Sequence, residues 1–192
     1  MTVREARDTR VTALALEAGR GNPDALEEFI RATQADVWRL VRHLGGADVA
    51  DDLAQETYAR ALVSLPGFVG RSSARAWLLA IARRAVVDHF RSLACRPRTS
   101  AGTDVAVAAD RQRLRAGLSP GPEDVVGLHL LLEGLDPARR EVLVLTQVLG
   151  LSYAEVAQIC GCPVGTVRSR VARAREDMIR AMAHGDRDVD AG

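Results

Sequence analysis

The stretch Leu151-Ser152-Tyr153-Ala154-Glu155-Val156-Ala157-Gln158-Ile159-Cys160-Gly161-Cys162-Pro163-Val164-Gly165-Thr166-Val167-Arg168-Ser169-Arg170-Val171-Ala172-Arg173-Ala174-Arg175 decides how the rest of the chain is read. It divides into two short helices joined by a tight turn. Ser152 caps the first, and Glu155 three residues on completes a capping box. Val156 and Ile159 give that helix an apolar side. Gly161 suits the left-handed position that ends a helix, and Pro163 the first position of the next. Val164, Val167, Val171, Ala174 and Met178 then form one apolar stripe at the helical period. Gly165, Thr166, Arg168, Ser169, Ala172 and Arg173 fall off that stripe. They make a small, polar, basic face near the helix start. Such a face lets a helix enter a major groove and lets arginines reach guanines or phosphates. A solvated basic helix would share the periodicity. The capping box, the glycine turn and the small polar start together favour a helix-turn-helix that binds DNA.

Composition narrows the class. The chain has 192 residues, enough for one domain or two small ones. It is 47% hydrophobic but only 4% aromatic, so its core is expected to be alanine, leucine and valine. Net charge is +1, and all 26 basic residues are arginine. Arginine suits bidentate contacts, although a GC-rich coding bias explains the same preference. Cys95, Cys160 and Cys162 provide neither a disulfide framework nor a Cys-x-x-Cys pair, and a Cys-Gly-Cys triplet without histidine is a poor zinc site. No stretch has the length of a membrane span, and the N-terminus does not read as a signal peptide. A reduced, cytoplasmic protein is expected. No nucleophile–base arrangement, phosphate loop or metal set stands out, so no cofactor, metal or catalytic residue is expected.

No strand alternation occurs, which predicts an all-α chain of two small helical domains joined by a flexible linker, the C-terminal one carrying the helix-turn-helix. Residues 1–10 read as frayed. Val11, Leu14 and Ala18 begin a short helix that stops at Gly19-Arg20-Gly21. Asn22-Pro23 caps the next, which carries Leu26, Phe29, Ile30, Val37, Leu40, Val41 and Leu44 inward and ends at Gly45-Gly46. A third helix, about Ala47 to Leu62, turns Ala50, Leu53, Ala54, Thr57, Ala61 and Leu62 to one side. Asp48, Asp52, Gln55 and Glu56 lie on the other, which is either a solvated face or a docking face for a basic partner. After a Pro-Gly loop holding Phe68 and Arg71, a fourth helix spans about Ala74 to Arg91. Leu78, Ile81, Ala82, Ala85 and His89 are its expected buried side. Trp77, Ala80, Arg84, Asp88 and Arg91 share a different side. That Trp77 either folds over a neighbouring helix or stacks bases while arginines hold the backbone. Residues 93–122 read as a linker, with a possible short helix at Val105 to Leu114. A second domain begins near Glu123. Its first helix carries Val125, Leu128, Leu131, Leu132 and Leu135. Asp136-Pro137 caps the next, with Val142, Leu143, Leu145, Thr146 and Leu149 inward. The tail after Gly185 reads as disordered.

Read together, separated motifs match one family. Asp48-Val49-Ala50-Asp51-Asp52-Leu53-Ala54-Gln55-Glu56-Thr57-Tyr58 resembles the core-polymerase-binding segment of bacterial sigma factors. Trp77-Leu78-Leu79-Ala80-Ile81-Ala82-Arg83-Arg84 resembles their −10 and strand-opening segment. The stretch from Leu135 through Arg175, with Gly-x-Ser-Tyr-x-Glu-Val-Ala and Gly-Thr-Val-Arg-Ser-Arg, resembles their −35 reader. With only these two end domains, the chain resembles the extracytoplasmic-function (ECF) type.

The resemblance implies a transcription initiation factor. Residues 11–92 would bind core RNA polymerase and open the −10 element, 93–122 would link, and 123–184 would read the −35 element. Asp48, Asp52, Gln55 and Glu56 would face the β′ clamp helices. Phe68, Arg71, Trp77, Arg84, Asp88 and Arg91 would line the single-stranded −10 site. Gly165, Thr166, Arg168, Ser169, Ala172 and Arg173 would sit at the −35 duplex. Core polymerase, through β′ and the β flap, promoter DNA and an anti-sigma factor are the implied partners. Family members often carry asparagine where Arg84 stands, so base choice at −10 does not carry over. The alternative is an autonomous helix-turn-helix repressor or activator, which has no use for a polymerase-facing acidic helix.

Overall fold

The computed structural model describes residues 2–95 and 131–189, and among these every regular element is helical. The chain divides into two compact units, Met1–Cys95 and Arg96–Gly192. The expected short helix at Val105 to Leu114, and the start of the second domain at Val125 and Leu128, lie outside the described residues.

In the first unit, α1 spans Val3–Gly19, α2 Pro23–Gly45, α3 Ala50–Ser64 and α4 Ala74–Cys95. Helix α2 is the centre and packs against the other three. Phe29, Val37, Leu40 and Val41 fill its inner side, met by Val11 and Ala15 of α1, Leu53 and Ala61 of α3, and Leu78, Leu79, Ala82 and Ala85 of α4. Asn22 caps α2 as expected, its Oδ1 accepting from the Asp24 and Ala25 amides with Pro23 in the first turn. Gly19 ends α1 where the chain runs close to the turn at Leu65–Gly67. A Cβ at Gly19 would lie 2.7 Å from the Leu65 carbonyl oxygen, so any larger residue would push the two apart.

Several expectations are corrected. The N-terminus is helical from Val3 rather than frayed. Thr2 and Glu5 form a capping box, with the Thr2 amide donating to Glu5 Oε2 at 2.7 Å and the Glu5 amide to Thr2 Oγ1 at 3.2 Å. The charges that made this stretch look disordered bind α2: Arg7 Nη2 donates to Asp36 Oδ2 at 2.9 Å and Arg10 pairs with Glu28 at 3.1 Å. Leu62 stays 43% exposed, because no element among the described residues covers it. His89 is half-buried rather than core, and Leu14, Leu26, Ile30, Leu44 and Ala54 are only half-buried.

A buried ion pair escaped the sequence reading altogether. Asp36 and Arg75 are each 3% exposed, and Arg75 Nε donates to Asp36 Oδ2 at 2.6 Å. Asp8 of α1 adds a second carboxylate, 3.8 Å from Arg75 Nη1. The Ala74 amide donates to Thr12 Oγ1 at 3.0 Å. Together these tie the first turn of α4 to both α1 and α2, immediately before Trp77. Tyr58 lies in the same unit with its hydroxyl 2.9 Å from Thr33 Oγ1, and burial pushes its pKa up to about 12.

In the second unit, residues 131–133 are helical, α5 spans Pro137–Leu143, α6 Tyr153–Cys160 and α7 Val164–Val189. Asp136 caps α5 as expected. The expected single helix through Leu149 instead widens into a π turn at Val144–Val148, with the Leu149 amide bonding the Val144 carbonyl at 2.9 Å. Residues 141–146 are all buried, more than one stripe of an α-helix can turn inward, and the widened turn begins inside that run at Val144. Leu132, Leu135, Val142, Leu145, Leu149, Val156, Ile159, Val167, Val171 and Ala174 make the core. Val164 is 41% exposed, so the stripe of α7 begins at Val167, and Met178 is only half-buried. The tail after Gly185 is helical as far as Val189.

Candidate functional site

The acidic run begins in the turn before α3 and continues along its outer face. Asp48, Asp51, Asp52, Gln55 and Glu56 are exposed, while Ala50, Leu53 and Thr57 between them are buried. This is the helical period separating a charged face from a packed one. Two neighbours were not anticipated. Trp38 of α2 donates its Nε1–H to Asp51 Oδ1 at 2.9 Å, with the Arg42 guanidinium 5.0 Å from the ring centroid. Arg60 donates from Nε to Glu56 Oε1 at 2.7 Å and from Nη1 to Asp88 Oδ2 at 2.6 Å. Bonding to Glu56 first, and to Asp88, raises the pKa of the Arg60 guanidinium. The Glu56–Arg60 spacing of four residues was a local signal for the first contact. Asp88, on another helix, gave none.

Phe68 and Trp77 come together. Their ring centroids are 4.9 Å apart at an interplanar angle of 40°, and both side chains are half-buried. Trp77 is therefore neither core nor bare. Phe68 covers part of it, and by the helical period Trp77 shares a stripe of α4 with Arg84, Asp88 and Arg91, all exposed. Ser73 starts this helix, its Oγ accepting from the Ala76 amide at 3.2 Å and its carbonyl from the Trp77 amide at 3.0 Å. Arg71 is exposed in the loop between the two rings.

The helix-turn-helix forms from α6 and α7. Ser152 and Glu155 make the expected capping box, with the Ser152 amide 2.8 Å from Glu155 Oε2 and the Glu155 amide 3.3 Å from Ser152 Oγ. Gly161 takes the left-handed conformation at φ 63°, and the Cys162 amide bonds back to the Ala157 carbonyl at 3.0 Å. Pro163 stands just before α7 and its carbonyl accepts from the Thr166 and Val167 amides. Gly165, Arg168, Ser169, Ala172 and Arg173 are exposed and Thr166 is half-buried. Val167, Val171 and Ala174 face inward.

Some arginines pair with carboxylates among the described residues and others do not. Arg7, Arg10, Arg60, Arg75 and Arg139 are held by carboxylates. Arg71, Arg84, Arg91, Arg168 and Arg173 are exposed, and none of them forms an ion pair among the described residues. A cation left unpaired on one face keeps its donors for an external anion. Among the described residues no group of three or more histidines, cysteines or carboxylates could hold a metal, and no helix is long and apolar enough to cross a membrane.

Comparison with known proteins agrees with this geometry. The family description of Sigma-70 region 2 matches residues 29–95, and that of Sigma-70, region 4 matches residues 126–178. The ECF RNA polymerase sigma factor SigC of Mycobacterium tuberculosis is 52% identical over 179 residues, 93% of this chain and 95% of that protein. The ECF RNA polymerase sigma factor EcfG of Rhodopseudomonas palustris is 34% identical over 170 residues, 88% of this chain and 91% of that one. Among solved structures, CnrH in complex with the cytosolic domain of CnrY matches with a TM-score of 0.68 and 26% identity, covering 91% of this chain and 98% of that one. A region 2 ahead of a region 4 sets aside an autonomous helix-turn-helix regulator. Sigma factors are transcription initiation factors rather than catalysts, and their partners are core RNA polymerase and promoter DNA. The chain belongs to the ECF RNA polymerase sigma factors.

Proposed function

We propose that the three exposed faces divide the work of initiation. Asp48, Asp52, Gln55 and Glu56 bind the β′ clamp helices of core polymerase, whose basic groups the acidic face attracts. Phe68 and Trp77 receive an unstacked base of the −10 element. Arg71, Arg84 and Arg91 hold the adjoining phosphates, and Asp88 accepts from a base edge. Gly165, Thr166, Arg168, Ser169, Ala172 and Arg173 meet the −35 duplex, where the small residues allow the backbone to approach and the arginines read guanine or hold phosphate. Residues 11–92 form the domain for the first two tasks, 123–184 the domain for the third, and 93–122 join them. The second domain also docks on the β flap. The chain itself makes and breaks no bond, needs no cofactor and acts in the cytoplasm, where its polymerase is. CnrH, its structural likeness, is bound to the cytosolic domain of a second protein. An anti-sigma factor holding this chain in the same manner fits that precedent.

The observation that carries the reading is that Arg71, Arg84, Arg91, Arg168 and Arg173 are exposed without carboxylate partners among the described residues, while Arg7, Arg10, Arg60, Arg75 and Arg139 are each held by one. Run-off transcription on genomic fragments, with core polymerase and this chain, tests it. Discrete promoter-dependent transcripts that vanish on omitting the chain are expected. Absence of any chain-dependent transcript across the genome would overturn it.

A further inference from the structure

Arg60 stands between the two surfaces of the first unit. It leaves α3 one turn after Glu56 and holds two carboxylates at once, Glu56 through Nε and Asp88 through Nη1. Asp88 belongs to α4, on the stripe shared by Trp77, Arg84 and Arg91. Among the described residues no second cation forms an ion pair with Asp88. The need for such a partner is electrostatic. A carboxylate among arginines that face DNA repels the phosphates those arginines attract, unless its charge is offset and its oxygens are aimed at a base. A guanidinium does both, because its planar fork fixes the direction of the carboxylate it binds. A lysine ammonium on a flexible stem keeps the charge but loses the fork.

We propose that Arg60 is a positioning residue for −10 reading: it offsets the charge of Asp88 and aims its free oxygen at a base amino group, while its Glu56 contact one turn back on the same helix fixes the direction of its own side chain. The carboxylate then accepts from an exposed amino group of adenine or cytosine in the separated strand. This rests on the assignment of Asp88 to the −10 surface. The pair is partly exposed, with Arg60 37% and Asp88 47% accessible, so its effect is graded rather than all-or-none.

The test uses the full chain assembled with core polymerase. Binding is measured to fluorescent single strands that carry each base in turn across the −10 element, alongside core affinity and thermal unfolding. Arg60→Lys and Arg60→Gln are each expected to lower discrimination between bases at one position by about two- to fivefold. Core affinity and melting temperature stay close to those of the native chain. Asp88→Asn lowers the same discrimination in the native background and adds little in the Arg60→Lys background, the non-additivity expected of two residues acting as one unit. If Asp88→Asn alters base preference and neither Arg60 variant does, this inference fails and the −10 assignment stands. Arg60 variants that lower stability but read the −10 strand normally once folded overturn it equally. If Asp88→Asn itself changes nothing, the assignment of Asp88 fails and the inference with it.

Discussion

Replacing Trp77 with alanine separates strand opening from folding. Trp77 is half-buried, with Phe68 covering part of the ring at 4.9 Å. Losing that aromatic pair costs about 0.5–1.5 kcal/mol of domain stability beyond the area exposed. Losing a base stacked on the open part of the ring costs about 1–3 kcal/mol. The second quantity corresponds to roughly 5- to 150-fold in the population of opened promoter. Core binding should be untouched, because the acidic face of α3 does not include Trp77. Permanganate footprinting of unpaired thymines reports opening directly. A template already melted across the −10 element should recover part of the lost transcription, since the opening step is then supplied. Trp77→Phe, which keeps a ring for both contacts, should lose less of both. Trp77→Ala that melts many degrees lower yet opens promoters like the native chain once folded would refute the reasoning. Trp77 would then be only a cover for α4.

Reversing charge at Asp52 and Glu56 together should weaken binding to core polymerase without unfolding the first unit, because both side chains are exposed; unchanged affinity would count against the acidic face. Arg168→Ala and Arg173→Ala distinguish base reading from phosphate holding. A guanine reader should cost about 1–3 kcal/mol at one base pair, and a phosphate contact should weaken all sequences and make the salt slope shallower by about 0.9. Holoenzyme binding to promoter variants at several salt concentrations shows which role each has. Asp36→Ala should destabilise the first unit by about 3–5 kcal/mol, because it leaves Arg75 buried without its closest carboxylate. Both tryptophans, Trp38 and Trp77, lie in that unit, so their fluorescence during urea unfolding measures the loss.

Much of the fold was legible because its signals act within a turn or two of helix. The Ser152–Glu155 box, the Asn22-Pro23 start, the Asp136 cap and the left-handed Gly161 each involve residues no more than five apart. The box at Thr2 and Glu5 had the same form, but the charge around it suggested disorder until α2 supplied the partners. Leu62 and Val164 fit the apolar period of their helices and are exposed nonetheless. A period states which residues share a side, and only a neighbouring helix makes that side an interior. The π turn at Val144–Val148 was hidden for a related reason, since the consecutive apolar residues Val142 to Leu145 leave no clear stripe to reveal a change of pitch.

From the sequence alone came the helical class, the helix-turn-helix, the acidic run of α3, the off-core placing of Trp77 and Arg84, and the family whose motifs these are. Each depends on periodicity, capping or motif order, which are properties of neighbours along the chain. Tertiary structure alone decided which charges are spent within the protein and which remain for a partner. Asp36 meets Arg75 across 39 positions and Arg60 meets Asp88 across 28, while Arg168 and Arg173 meet no carboxylate among the described residues. It also decided that Phe68 lies on Trp77. An ion pair or a ring contact requires approach within a few ångströms, and packing, not sequence spacing, brings distant side chains that close.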